Sequence, residues 1–148
     1  MSNVIIKFVK THEDAKLPTK AHRGDNCFDL YAVEDTVIPG SYYDPIGNVE
    51  IGNAVVPVGI TVGYISEGYG FVLRPKSGLG FKAGLQPHLG EIDNGYRGDC
   101  GVKMYNFSDD DYYFNKGDKV AQIKIEKIYD TVVEWTDEVE EAQRGDAG

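Results

Sequence analysis

An aspartate and a tyrosine flank the dipeptide Asn94-Gly95. Asn-Gly is the strongest short signal for a type I′ hairpin turn, because this turn needs φ > 0 at both central residues. In such a hairpin Asp93 and Tyr96 form a cross-strand pair on one face, with Cβ atoms about 5 Å apart. The pattern indicates either a carboxylate base beside an aromatic stacking surface, or only a supported turn with a half-buried tyrosine.

A second polar group follows Arg74. Lys76, Ser77 and Gly78 combine a cation, a hydroxyl and a small residue where a short helix could begin. Exposed backbone N–H groups, a serine donor and a lysine charge together suit a phosphate. Pro-x-Ser-Gly stretches are also ordinary turns, so both interpretations stay open.

Two polar side chains interrupt apolar runs. Gln122 must be satisfied either by neighbouring backbone or by a ligand if it is buried. Asp29 could cap or pair, or hold a hydrated Mg²⁺ through water. The three histidines fit no zinc spacing and are interpreted as surface or packing residues: His12, His22 and His88.

The sequence pattern predicts that β-strands position these residues. Runs rich in Val, Ile, Tyr and Phe recur between turn residues, at residues 4–9, 28–33, 54–62, 70–73, 101–106, 120–125 and 132–135. The 18 glycines and the lack of a sustained helical apolar stripe leave an all-β sandwich, jelly roll or barrel. One short helix fits at residues 77–83.

The chain of 148 residues has the size of one domain. We expect a single all-β domain at residues 1–137, followed by a mobile C-terminal arm at residues 138–148, where the composition becomes acidic and then glycine-rich.

The net charge and the cysteine content limit which binding partners and which cellular compartment are expected for this protein. The net charge of −9 argues against nucleic acid or an anionic membrane as the main partner. The N-terminal apolar run is too short for a signal peptide or a membrane span. Cys27 and Cys100 match no metal-ligand spacing, so reduced thiols and a cytoplasmic location are expected.

Taken in order, four stretches resemble the motifs of the trimeric deoxyuridine triphosphatases (dUTPases). They are residues 21–30 (AHRGDNCFDL), 75–80 (PKSGLG), 90–99 (GEIDNGYRGD) and 116–122 (KGDKVAQ). Any one of them could arise by chance, but four in the right order with compatible spacing identify a member of this family, from about residue 21 to residue 148.

The resemblance implies a fold, an assembly and a reaction. The fold is a distorted jelly-roll-like β-barrel, three copies of which form a homotrimer with shared active sites. The reaction is hydrolysis of dUTP to dUMP and pyrophosphate, with Mg²⁺ on the triphosphate.

The resemblance also implies roles for single residues. Asp93 matches the base that activates the water attacking the α-phosphorus. Tyr96 matches the ring under the deoxyribose, which rejects ribose. Gly90 and Gly101 match positions whose backbone reads the uracil edge, and Arg97 matches a structural brace.

Phosphate and metal contacts come from the other motifs. The expected phosphate contacts are Lys76, Ser77, Gly78 and Gln122, with Arg144 from the start of a fifth motif. Asp29 matches an aspartate that reaches the metal through water.

Three departures from the family pattern stand out. Lys76 replaces the usual arginine and loses its bidentate fork, which leaves Arg74 as a candidate to compensate. The fifth motif begins at residues 143–148 but stops before the expected Phe-Gly-Ser-Thr-Gly. Half of the lid is therefore missing, from a partial chain or a lidless variant, and we expect binding with slow turnover. The segment of residues 40–53 is longer than the turn that the family usually has there. Tyr42 and Tyr43 are therefore expected on an inserted hairpin, whose use is unknown.

Two alternatives remain. The homologous dCTP deaminases place a glutamate base at the position of Lys103, where a lysine cannot serve in that role. The second alternative is a regulatory protein whose binding to a partner responds to dUTP. The incomplete lid and the insertion at residues 40–53 are the features that suggest it.

Overall fold

The structure, a computed structural model, describes residues 3–142, and its regular secondary structure is almost entirely β-strands. The strands are β1 (Ile6–Lys10), β2 (Cys27–Tyr31), β3 (Thr36–Ile38), β4 (Tyr42–Tyr43), β5 (Val49–Glu50), β6 (Gly52–Val56), β7 (Ile60–Ile65), β8 (Tyr69–Arg74), β9 (Leu85–Pro87), β10 (Glu91–Ile92), β11 (Val102–Asn106), β12 (Tyr112–Phe114) and β13 (Lys119–Lys127). Helix α1 (Ser77–Ala83) lies between β8 and β9. The predicted all-β class is confirmed.

The largest sheet has the order β10-β8-β13-β2, with every pair antiparallel. Its longest strand, β13, pairs with β2 on one side and β8 on the other, so that Gln122 lies opposite both Asp29 and Arg74. Successive residues of a strand point to opposite faces. Gln122 and Asp29 therefore share one face, and the apolar residues beside them share the other.

The remaining strands form the smaller sheets of a distorted jelly-roll-like barrel that is not closed within the described residues. A three-stranded sheet has the order β6-β11-β9, and two-stranded sheets join β1 with β7, β3 with β12 and β4 with β5. Within residues 3–142 these sheets stay separate and do not close into one continuous barrel. They enclose a core whose most deeply buried side chains include Ile38, Val56, Val102, Phe114 and Val120.

Two of the predicted strands differ in the structure. The run at residues 54–62 is divided into β6 and β7, because Pro57 has no N–H to donate and Gly59 adopts φ 66°. The strand predicted at residues 132–135 is wrong, since these residues form no strand and Trp135 is 102% exposed. β-propensity is realised only where a neighbouring strand supplies pairing and burial.

The predicted helix is confirmed at Ser77–Ala83. It ends at Gly84, which adopts the left-handed conformation with φ 67° and donates its N–H to the carbonyl oxygen of Gly80 at 3.3 Å. No helix in residues 3–142 is long and apolar enough to span a membrane.

The insertion at residues 40–53 forms the β4–β5 hairpin, as expected. Its base is fixed by Ser41, whose hydroxyl donates to the carbonyl oxygen of Asn106 at 2.6 Å and accepts from the Gly52 N–H at 2.9 Å. At its tip the Asp44 carboxylate accepts hydrogen bonds from the N–H groups of Asn48 and Ile46, which lower the pKa of this carboxyl. The hairpin is therefore held by hydrogen bonds at both ends.

Candidate functional site

A first cavity of about 180 Å³, here called the inner cavity, opens where β9 and β11 separate. The ladder between these strands continues to His88, whose N–H donates to the Lys103 carbonyl oxygen at 2.8 Å. The same register would next pair Gly90 with Gly101, but the Gly90 carbonyl oxygen accepts from Leu73 instead, at 2.9 Å. The gap between the two strands is the cavity.

The lining of the inner cavity is mostly apolar. Phe8, Leu30, Ile60, Phe71, Leu73, Ile92 and Ile123 contribute from the core side, and Gly90, Tyr96, Asp99, Cys100, Gly101, His88 and Lys103 complete it. Three of the residues predicted to contact the base and sugar thus lie around one cavity: Gly90, Tyr96 and Gly101.

The turn that carries Tyr96 differs from the predicted hairpin. The Tyr96 N–H donates to the Asp93 carbonyl oxygen at 3.0 Å, so residues 93–96 do form a β-turn. However, neither Asn94 nor Gly95 has a positive φ, so the predicted type I′ geometry is wrong. The predicted cross-strand pair of Asp93 and Tyr96 is also wrong, because β10 pairs with β8.

A side chain explains this turn. The Asn94 amide donates to the carbonyl oxygens of Ser66 at 3.0 Å and Tyr69 at 2.8 Å, which ties the turn to the loop between β7 and β8. The Arg97 guanidinium donates to the carbonyl oxygens of Asn94 at 2.7 Å and Tyr96 at 2.9 Å, in agreement with a bracing role. Asp93 is left exposed on this loop and does not line the inner cavity.

The Tyr96 ring is fixed from two sides. Its hydroxyl donates to the Asp99 carbonyl oxygen at 2.8 Å. The ring packs so closely on Gly98 that a Cβ atom added there would lie 2.6 Å from the Tyr96 Cζ atom. Asp99 in turn accepts the Gly101 N–H on Oδ2 at 3.1 Å. The wall of the cavity is therefore hydrogen-bonded from Tyr96 to Gly101.

Cys100 also lines the inner cavity. Burial and the nearby Asp99 carboxylate raise the pKa of its thiol to about 11, because both disfavour the thiolate. Cys100 is therefore a neutral thiol near pH 7 and offers no nucleophile.

A second cavity of about 530 Å³, here called the outer cavity, gathers the polar residues of three motifs. Its lining includes Asp29, Lys76, Ser77, Gly78 and Gln122, all of which were predicted to contact phosphate or metal. The sequence prediction did not include Lys119, which lies beside them.

Asp29 organises the charges of the outer cavity. Its side chain is nearly buried, and it accepts from Lys76 Nζ on Oδ1 at 2.7 Å and lies 3.2 Å from Lys119 Nζ through Oδ2. Burial alone would raise the pKa of Asp29, but the two lysine contacts outweigh it and the pKa lies below its ordinary value. The same contact raises the pKa of Lys119.

Gln122 is satisfied by neighbouring backbone, since its amide donates to the Pro75 carbonyl oxygen at 2.9 Å, and it also lines the outer cavity. Arg74 does not compensate for the lysine at position 76. Its guanidinium lies 3.7 Å from the Glu126 carboxylate and is not part of the cavity lining.

The two cavities lie on opposite faces of the β10-β8-β13-β2 sheet. Leu30 and Ile123 line the inner cavity, whereas the adjacent residues Asp29 and Gln122 line the outer one. Because neighbouring residues in a strand point to opposite faces, the sheet separates the cavities.

Several residues that line the two cavities were not predicted as site residues from the sequence. Lys119 has no role of its own in the sequence analysis, although it lies within the fourth motif stretch. His88 was interpreted as a surface or packing residue, and Lys103 was considered only against the deaminases. Arg144 lies outside the described residues.

The residues present fit a metal that arrives with a substrate. Within residues 3–142 no three His, Cys, Asp or Glu side chains form a group that could hold an ion. Mg²⁺ usually keeps several waters and binds through one or two carboxylates together with substrate phosphates. Asp29 supplies one such carboxylate in a cavity that Lys76 and Lys119 also line.

Comparison with known proteins identifies the class. The dUTPase family model matches residues 13–148, and the chain belongs to the dUTPase family. A deoxyuridine 5'-triphosphate nucleotidohydrolase of Kluyveromyces lactis is 40% identical over 136 residues, which are 91% of this chain and 84% of the relative. The protein of the same name from Paramecium bursaria Chlorella virus 1 is 33% identical over 148 residues, which are 100% and 96% of the two chains.

A solved structure agrees with this fold. A mutant dUTPase from phage phi11 of S. aureus matches with a TM-score of 0.74 and 24% identity, covering 92% of this chain and 99% of that chain. It is described as revealing the coordination of a structural Mg(II) ion.

Proposed function

We propose that this chain hydrolyses dUTP to dUMP and pyrophosphate. The observation that carries the proposal is that the family motifs converge on two cavities, one mostly apolar and one lined by polar and charged residues that include Lys76 and Lys119. An apolar cavity between two separated strands suits a pyrimidine, and lysine ammonium groups suit phosphate oxygens.

The inner cavity is assigned to the base and sugar. Gly90 and Gly101 border it with backbone groups that can distinguish uracil from cytosine, since the two bases reverse donor and acceptor at N3 and C4. Tyr96 is fixed by its hydrogen bond and by Gly98, so its ring forms a rigid surface under the deoxyribose. A ribose 2′-hydroxyl would clash with that surface.

Asp93 is assigned as the general base. Its exposed carboxylate lies on the turn that carries Tyr96, where it can accept a proton from the water that attacks the α-phosphorus. Phosphoryl displacement needs mainly positioning and charge neutralisation, so one base and a set of cations suffice.

The outer cavity is assigned to the triphosphate. Lys76, Ser77, Gly78 and Gln122 would bind phosphate oxygens, with Arg144 joining from the arm. Mg²⁺ bound with the triphosphate would neutralise its charge, and Asp29 would reach the ion through water. Asp29 also keeps Lys76 and Lys119 together, so that both ammonium groups lie in the cavity assigned to the triphosphate.

The same arrangement supports a homotrimer with shared active sites. A nucleotide reaching both cavities of one chain would have to cross the sheet between them. We therefore infer that each site combines the inner cavity of one subunit with the outer cavity of another. The exposed apolar side chains after β13 support subunit contacts, with Val132, Val133 and Trp135 each more than 80% exposed. Light scattering should give about 49 kDa, three times 16.4 kDa.

Pyrophosphate release from dUTP, dCTP, dTTP and UTP in the presence of Mg²⁺ tests the proposal. We expect release from dUTP alone, because the base edge excludes cytosine, the tight cavity excludes the thymine methyl and Tyr96 excludes ribose. Equal release from all four nucleotides, or ammonia release from dCTP, would contradict it. Chelation of Mg²⁺ should slow release from dUTP.

A dUTP-responsive regulatory role is the second candidate, and the hairpin of residues 40–53 favours it. Its base is fixed by hydrogen bonds, whereas Tyr43 and Ile46 are 75% and 84% exposed. Pull-down with and without a non-hydrolysable dUTP analogue tests this role. Capture that does not depend on the nucleotide would argue against it.

We also propose one all-β domain at residues 1–137 with an arm from residue 138, and a cytoplasmic location. The free thiols of Cys27 and Cys100 are consistent with a reducing compartment.

A further inference from the structure

Lys103 is an exposed residue that lines the inner cavity. It lies two residues beyond Gly101 on β11, so its side chain is on the same face of the strand. The β9–β11 ladder resumes here, because the His88 N–H donates to the Lys103 carbonyl oxygen at 2.8 Å. Tyr96 lies at the other end of the cavity, before Gly101 in the chain and against Gly98.

The positions of Tyr96 and Lys103 at the two ends of the cavity fix the orientation of a bound pyrimidine ring. If the Tyr96 ring supports the sugar, N1 of the base lies toward Tyr96. The ring atom opposite N1 is C4, which carries a carbonyl oxygen in uracil and an amino group in cytosine. The exocyclic group that distinguishes these bases therefore points toward His88 and Lys103.

The two side chains at that end differ in what they can select. His88 Nδ1 is 3.2 Å from the Tyr105 hydroxyl, and an imidazole can donate or accept according to its tautomer, so it has no fixed preference. A lysine ammonium has three donors and no acceptor. It complements the uracil O4 and opposes the cytosine amino group.

The position of Lys103 is also restricted by its neighbours. Its Nζ lies 5.6 Å from the centroid of the Tyr105 ring, which packs against His88 with the two centroids 6.1 Å apart. The cation–π contact holds the ammonium over Tyr105, whose ring packs on His88 of the cavity lining, because a cation is attracted to an aromatic face.

We propose that Lys103 is a specificity-determining residue that donates a hydrogen bond to O4 of uracil and excludes cytosine. This inference rests on the proposed function, since it assumes a deoxyuridine nucleotide in the inner cavity. It adds a side chain to the backbone groups of Gly90 and Gly101 that were assigned to base reading.

The test compares Lys103→Met, which removes the donor but keeps the length, with Lys103→Arg, which keeps a donor. Lys7→Met is the matched control, because Lys7 Nζ is likewise over a tyrosine ring, 5.4 Å from the Tyr64 centroid, and does not line the inner cavity. Calorimetry measures dUMP and dCMP binding, and steady-state assays give kcat and KM for dUTP and dCTP.

Lys103→Met should weaken dUMP binding about tenfold relative to dCMP, as expected for the loss of a hydrogen bond to a charged donor. The loss should appear in KM for dUTP with little change in kcat, because the base is remote from the reacting phosphorus. Lys103→Arg should keep most of the preference, and Lys7→Met all of it.

A dUMP over dCMP preference unchanged within about twofold in Lys103→Met would overturn the inference. An equal loss of the dUMP preference in Lys103→Arg would also overturn the inference, because it would show that Lys103 acts through packing and not through hydrogen-bond donation. If Lys103→Met does not fold, judged by its melting temperature, Lys103→Val replaces it, because valine also lacks a donor and suits a β-strand, and the same loss is expected. Wild-type protein that discriminates dUMP from dCMP but releases no pyrophosphate would contradict only the proposed function.

Discussion

Lys76 Nζ lies 2.7 Å from Asp29 Oδ1, and this contact joins the first and second motifs across the outer cavity. The other carboxylate oxygen faces Lys119 Nζ at 3.2 Å. One nearly buried carboxylate thus holds two ammonium groups that would otherwise repel each other, and its removal should affect both stability and phosphate binding.

Asp29→Asn should lower the free energy of unfolding at pH 7 by about 1–2 kcal/mol. Breaking a buried ion pair costs more, but both lysines are partly exposed and water screens the loss. Urea denaturation measures the change. Asp14→Asn is the control, because Asp14 pairs with Lys116 on the open surface, and it should destabilise less.

The pH dependence of this loss has a defined sign. The pKa of Asp29 is lowered on folding, so its stabilising contribution is present above the ordinary value of 3.8 and disappears as pH falls through the folded pKa. The difference between wild type and Asp29→Asn should therefore shrink as the pH falls below about 4. A difference that stays constant down to pH 2 would mean that the lysine contacts do not form.

Asp93→Asn should bind dUTP nearly normally and lose turnover by about 10²–10⁴-fold, because the variant removes the general base without changing the shape of the turn. Isothermal titration with a non-hydrolysable dUTP analogue and a pyrophosphate assay separate these effects. Glu91→Gln, on the neighbouring strand β10, is the control. Retained turnover in Asp93→Asn would assign the base to another residue.

Gly98→Ala should displace the Tyr96 ring, since the added Cβ would lie 2.6 Å from its Cζ atom. We expect the ratio of kcat/KM for dUTP over UTP to fall by roughly tenfold or more, as the surface under the sugar moves. Gly95→Ala is the matched control in the same loop, because a Cβ there meets nothing within 4 Å. Equal ratios in both variants would remove Tyr96 from sugar selection.

Cys100 should react slowly with iodoacetamide at pH 8, because its pKa of about 11 leaves little thiolate. In a Cys27→Ser background the rate should rise about tenfold per pH unit up to pH 10. Bound dUMP should slow it further, since Cys100 lines the inner cavity. Mass spectrometry measures the alkylation, and fast labelling at pH 7 would show that the thiol is not buried.

Trp135 is the only tryptophan in the sequence, so tryptophan fluorescence reports on the segment after β13. Its side chain is 102% exposed in the single chain. If subunits bury it in a trimer, emission should shift to longer wavelength when dilution dissociates the trimer. Emission typical of exposed tryptophan at every concentration would exclude Trp135 from the interface.

The sequence predicted those parts of the fold that depend on local signals. The helix at Ser77–Ala83 follows from a proline before it and glycine after it. Residues of the resembling motifs converged on shared cavities because short strands and turns fix their directions. Residues 132–135 have no partner strand among the described residues of the single chain, so β-propensity wrongly predicted a strand there.

Contacts between distant segments could not be predicted in this way. Asn-Gly favours a type I′ turn in isolation, but the Asn94 side chain finds carbonyl partners at Ser66 and Tyr69 and selects another turn. Lys119 meets Asp29 only through the register of β13 against β2, which includes an irregularity after Lys119. Lys103 reaches the inner cavity because β9 and β11 separate beyond it.

The completely buried Asn106 has a consequence for how this fold can change. Its amide nitrogen donates to the carbonyl oxygens of Ile38 and Asp110, its side-chain oxygen accepts from Ser108, and its own carbonyl oxygen holds Ser41 at the base of the inserted hairpin. The residues between Ser41 and Gly52 are thereby isolated from the core. New sequences could be grafted onto this hairpin without altering the barrel, which makes it a natural attachment point for acquired binding activities.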